Sequence, residues 1–166
     1  GRRARPGRVR SRHVRTFEST LLRAAPRRTR LAPPLTPEQA QALRQGFALA
    51  AADPIAFTEA FYTRLFELLP AARALFQAEL SAQHEKMAQT LATVVSYLEQ
   101  PDALTSELHR LGSRHLAYGA QAVHYATVGE ALLHTLNARV PGGLDADTRS
   151  AWQRFYAWLA AEMLSG

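Results

Sequence analysis

From Leu35 onward the apolar residues recur at three- and four-residue intervals, and no stretch shows the two-residue alternation of a strand. The pattern predicts an all-α chain of about seven helices. "LTPEQAQALRQGFALAAAD" opens on Thr36 as N-cap, with Pro37 at the first helical position and Gln39 completing a capping box. Its apolar stripe is Ala40, Leu43, Phe47 and Ala50. "DPIAFTEAFYTRLFELLP" repeats the device with Asp53 and Pro54, and carries Phe61, Tyr62, Leu65, Phe66 and Leu69. Pro70 breaks that helix, and a short segment follows to Phe76. Further helices are expected over Ser81–Leu98, from Pro101 to Tyr118, over Ala122–Arg139 and over Asp145–Leu164. The last presents Trp152, Phe155, Tyr156, Leu159 and Met163 on one face.

Charge divides the chain. Residues 1–34 hold eleven Arg against one Glu, a net of +10, while the remainder carries a net of −4. A basic, flexible N-terminal extension is therefore expected over residues 1–34, with at most a short helix around Thr16–Ala25, ahead of a folded domain at residues 35–166. Such a tail suits contact with anionic partners, and its Arg-rich, acid-poor composition also matches an organellar transit peptide. The localisation expected is cytoplasmic, or organellar if the tail is such a peptide. There are no cysteines. That rules out disulfides, thiolate metal ligands, a Cys nucleophile and thioether-linked haem. No apolar run reaches membrane-spanning length.

Three of the six histidines fall in "LGSRHLAYGAQAVHYATVGEALLHTL", residues 111–136. At about 100° per residue, His115 lies about 20° from the centre of the Leu104, Leu108 and Leu111 stripe, whereas His109 lies about 140° away and should face water. In the next helix Tyr125 falls within the stripe of Val128, Leu132, Leu133, Leu136 and Val140, while His124 and His134 fall outside it. A lone inward histidine is more often a hydrogen-bonded core residue than a ligand. No second His, Asp or Glu stands at i+3 or i+4 from His115, which disfavours zinc and di-iron sites. Haem asks the protein for as little as one axial imidazole and an apolar helical pocket.

The segment around His115, together with "FYTRLFELLPAARALF" and "SAQHEKMAQTL" in that order, resembles the globin family. The likeness is greatest to bacterial single-domain globins and flavohaemoglobin globin domains, and extends to neuroglobin. The resemblance implies a globin fold around non-covalent haem b, with His115 as iron ligand and Phe76, Met87 and Tyr125 in contact with the cofactor or its ligand histidine. It implies distal donors at Tyr62 and Gln83. His84 stands beside Gln83, and periodicity does not choose between them; the family pattern chooses Gln83.

The expected partners are dioxygen, nitric oxide and carbon monoxide. A tyrosine O–H and a glutamine N–H both donate to a ligand that takes negative charge, and roughly 1–3 kcal/mol per donor would slow release about tenfold or more. That suits oxygen binding, storage or nitric oxide detoxification. The dioxygenase-type activity is left open, because the resemblance's reductase does not follow in this sequence and an external reductase would be needed. The family's proximal carboxylate has only Glu162 as a counterpart, one turn early, so a weaker push on the iron is expected. A haem-based gas sensor without redox turnover is the alternative. No catalytic side chain is assigned.

Overall fold

The computed structural model describes residues 35–76 and 80–165, so the expectations for residues 1–34 lie outside the described residues. The helices are α1 (Pro37–Ala50), α2 (Pro54–Leu68), a 3-10 helix (Pro70–Leu75), α3 (Leu80–Ser96), α4 (Pro101–Ala117), α5 (Ala122–Arg139) and α6 (Ala146–Ser165). No strand occurs among the described residues.

Local chemistry starts most of these helices where the sequence places them. Thr36 accepts the Gln39 backbone N–H through Oγ1, and Gln39 Oε1 accepts the Thr36 N–H in return. The Asp53 carboxylate accepts the Ala56 N–H, and Asp145 accepts the Thr148 N–H at the head of α6. At the other end of α1, Arg139 Nε donates to the Ala50 carbonyl, so the last turn of α5 satisfies the last turn of α1. Pro70 ends α2 and tightens the chain into 3-10 geometry up to Phe76.

α5 is the central helix, packing on α1, α2 and α6. It can be buried on several sides because Ala126, Gly129 and Ala131 let neighbours approach, while Thr127 and Thr135 turn their hydroxyls back to the carbonyls four residues earlier. The core runs from Leu43 through Phe57, Phe61 and Leu65 to Leu104, Leu108, Leu136 and Phe155. Each fully buried Leu or Phe in it contributes about 1.5–3 kcal/mol over the exposed state. No described helix is long and apolar enough to cross a membrane.

The arrangement of α3 and α4 positions the site. They are consecutive and joined by a short turn, yet are not a packed pair: α3 packs on α2 and α1, and α4 on α6. The two consecutive helices are thus held by different partners.

Candidate functional site

α4 is built to present one imidazole. Leu104 and Leu108 are fully buried, and His115 follows them on the same side, half-buried near the end of the helix. The helix closes directly after it in a Schellman motif: the Ala120 N–H donates to the His115 carbonyl and the Gly119 N–H to that of Leu116. Gly119 sits at φ 86°, the left-handed conformation that motif requires.

His115 Nδ1 lies 2.8 Å from the Leu111 carbonyl oxygen. A carbonyl only accepts, so Nδ1 carries a proton, and in the neutral ring Nε2 would hold the unshared pair that a metal needs, with the ring's orientation referred to the backbone one turn earlier. The Tyr125 ring lies 6.3 Å from the His115 ring, inclined at 41°. Burial raises the Tyr125 phenol above its usual pKa and keeps it neutral.

On the α2–α3 side Tyr62 is the hub. It is buried, with Phe76 edge-on at 5.3 Å and the His84 ring stacked on it at 5.2 Å. Burial raises its pKa, and a side-chain hydrogen bond with Gln83 offsets that in part. Phe76 also packs edge-on against Phe66 at 5.7 Å, and the Arg73 guanidinium lies over the Phe66 ring. Met87 packs half-buried against the core. The structure therefore brings Tyr62, Phe76, Gln83 and His84 together. Gln83 engages the phenol's hydroxyl and His84 its face, so both residues in question belong to this cluster.

Two features depart from the sequence expectations. His109 does not simply face water: its side chain is 43 % exposed, and Nε2 lies 2.9 Å from Glu162 Oε2. The angular count on α4 omits α6, which packs along that flank and brings Glu162 to it. Glu162 is thus engaged by His109. The second feature is Gly112, buried against the Met163 backbone three residues before His115. A glycine inside a helical pattern was the available signal.

A small cavity of about 30 Å³ lies between α1, α3, α5 and α6, lined by residues such as Phe47, Leu91, Val95, Leu132 and Trp152. It is far too small for a porphyrin, and none of Tyr62, Phe76, Gln83, Met87 or His115 lines it. No cluster of three potential metal-ligating side chains occurs among the described residues. The donor set fits a metal that brings most of its own ligands. A single imidazole oriented by its own helix suits haem and does not suit a bare ion.

The described residues form an all-α fold with a partly buried histidine, His115, near the end of α4. The globin family profile matches residues 59–163, and the chain belongs to that family. It is 27% identical over 129 residues to a flavohemoprotein of Vibrio cholerae, covering 76% of this chain but 33% of that protein. The chain thus spans about a third of that relative's length. It is 28% identical over 146 residues to neuroglobin-1 of Oncorhynchus mykiss, covering 80% of this chain and 92% of that one. Among solved structures, a hexacoordinated heme protein from an anhydrobiotic tardigrade aligns with TM-score 0.67 at 16% identity, over 79% of this chain and 94% of the other.

Proposed function

We propose that this globin holds haem b non-covalently through His115 Nε2 and binds dioxygen and related gases reversibly. The observation that carries the proposal is the His115 Nδ1 to Leu111 carbonyl hydrogen bond, which leaves Nε2 as the free donor of a pre-oriented ring. Haem iron, when bound, supplies the reversible coordination of a diatomic gas.

The chain's own residues do the rest. Phe76 and Met87 provide apolar surface for the porphyrin. A phenol is protonated at neutral pH, and burial raises the Tyr62 pKa further, so its O–H is available as a donor. Gln83, hydrogen-bonded to Tyr62, supplies a second donor and fixes the direction of the first. Tyr125 packs against the His115 ring. The His115 Nδ1–H is directed at the Leu111 carbonyl and Glu162 at His109, so no carboxylate is bonded to the His115 ring, which favours gas holding over peroxidase-like chemistry.

A second reading concerns the sixth iron position. His84 stacks on Tyr62, and its imidazole would be the side chain able to hold the sixth position, labile, when no gas is bound. The relatives' names, flavohemoprotein and neuroglobin, support a haem-binding globin. Turnover with nitric oxide would need a reductase as its electron source. The test is an oxygen titration of the reduced protein followed by absorption spectroscopy. Spectra that interconvert through shared isosbestic points as oxygen is added and removed are expected. Failure to take up haem, or oxidation without reversal, would reject the reading.

A further inference from the structure

We propose that Gly112 is a positioning residue for His115. The backbone contact it permits between α4 and α6, flanked by the His109–Glu162 hydrogen bond, sets where the imidazole sits relative to haem. The inference rests on the reading of His115 as the iron ligand.

α6 is the helix on which α4 packs, so the α4–α6 crossing fixes the height of everything α4 carries. At that crossing a Cβ on residue 112 would lie 1.9 Å from the Met163 carbonyl oxygen, 2.6 Å from its carbon and 2.8 Å from its Cα. All three atoms are backbone, so no side chain can rotate out of the way. One turn earlier on α4, His109 Nε2 meets Glu162 Oε2 at 2.9 Å, and Glu162 adjoins Met163. Two adjacent contacts therefore hold one face of α4 to one face of α6.

One turn later stands His115. Its ring is referred through Nδ1 to the carbonyl of Leu111, the residue next to Gly112. A displacement of the backbone at residues 111–112 thus carries the ring with it. Past the end of the helix nothing lies within 4 Å of a Cβ built on Gly119, whereas at Gly112 the two backbones are in direct contact.

Magnitudes make the case. Real Cβ contacts stay beyond 3.0 Å, so an alanine at 112 must push the helices apart from 1.9 Å by about 1 Å or more. Metal–nitrogen bonds keep their length to within about 0.2 Å, so that displacement cannot be absorbed in the iron–imidazole bond. The imidazole would have to tilt, or the haem would have to move with it. Gly46 supplies the contrast. It is also a buried helical glycine, but a Cβ there meets only Trp152 Nε1, at 4.0 Å.

The test uses the full chain loaded with haem, ferrous and free of gas. The iron–imidazole stretching band is recorded by resonance Raman, and the rate of haem transfer to an excess of a scavenging apoprotein is measured. Gly112→Ala should retain its helical circular dichroism, shift the band to lower frequency and lose haem about tenfold faster or more. Gly46→Ala should match the parent in both. His109→Ala, which leaves the backbone crossing in place, should shift the band in the same direction by less. A purely structural role for Gly112 would lower the melting temperature and leave the band where it was, and that result overturns the inference. If Gly112→Ala does not fold, His109→Ala decides: a downward shift supports the clamp and an unchanged band overturns it. The underlying reading fails separately, by a parent protein with no iron–imidazole band or a His115→Ala variant that keeps it.

Discussion

Replacing Tyr62 with phenylalanine isolates one hydroxyl. The ring stays: phenylalanine keeps the contacts with Phe76, Phe66 and His84, so no cavity opens. What goes is a donor that burial holds in its protonated form and that Gln83 orients. In the gas-free protein the loss is one neutral hydrogen bond, about 0.5–1.5 kcal/mol, softened because half-buried Gln83 can turn to water. With dioxygen bound the loss is larger, because the acceptor carries negative charge and such bonds are worth about 1.5–3 kcal/mol. Release should therefore quicken by about tenfold to a hundredfold. The assay is stopped-flow displacement of dioxygen by carbon monoxide. Carbon monoxide takes much less charge, so its own release should change little. Because Tyr62 and Gln83 are bonded, Gln83→Leu should be non-additive with Tyr62→Phe. Unchanged oxygen release in both single variants, with acceleration in His84→Leu, would refute the reasoning and make His84 the distal residue.

Other outcomes follow from the same structure. Thr105 Oγ1 is buried without a hydrogen-bond partner, so Thr105→Val, nearly the same shape, should raise the melting temperature by a few degrees in calorimetry. Tyr62, Tyr125 and Tyr156 all have folded pKa values raised above 10.0, chiefly by burial. The native state then holds their protons more tightly than the unfolded chain. Their contribution is complete below pH 10.0 and is lost as pH rises through the folded values, so urea unfolding should show stability falling above that pH. Tyr125→Phe should flatten the fall. Deleting residues 1–34 removes a net charge of +10 and none of the apolar stripes read from the sequence, so haem content and melting temperature should be retained. Any binding of the full chain to an anionic polymer should weaken steeply with salt and disappear on that deletion.

How far the sequence could be read depended on the range of the interactions involved. Helix starts are local, which is why Thr36 with Gln39 and Asp53 with Pro54 announce α1 and α2. The expected span of α5 coincides with the observed Ala122–Arg139, since "PGG" ends it chemically. For α3 the expected end at Leu98 overran the observed Ser96, because the last apolar residues continue the pattern into a turn. Periodicity also placed His115 and Tyr125 inward, as one helix's own stripe suffices for that. It could not find the His109–Glu162 bond, whose partners are 53 residues apart and meet only once α6 docks on α4. Nor could it separate Gln83 from His84. Adjacent residues differ by about 100° on a helix, and a ring as broad as Tyr62 meets one with its hydroxyl and the other with its face. Gly112 could be seen as a helical glycine, but only a backbone 51 residues away gives it a reason.

The central claim is that one side chain, His115, ties haem to this chain. Its most direct test is the absorption spectrum of reduced, carbon monoxide-saturated His115→Ala, purified without imidazole and compared with the parent and with His124→Ala and His134→Ala. The account predicts a strong haem band in the parent and in both control variants, and its near loss in His115→Ala with recovery when imidazole is added. A His115→Ala protein that keeps the parent's haem content and spectrum with no imidazole present would contradict it.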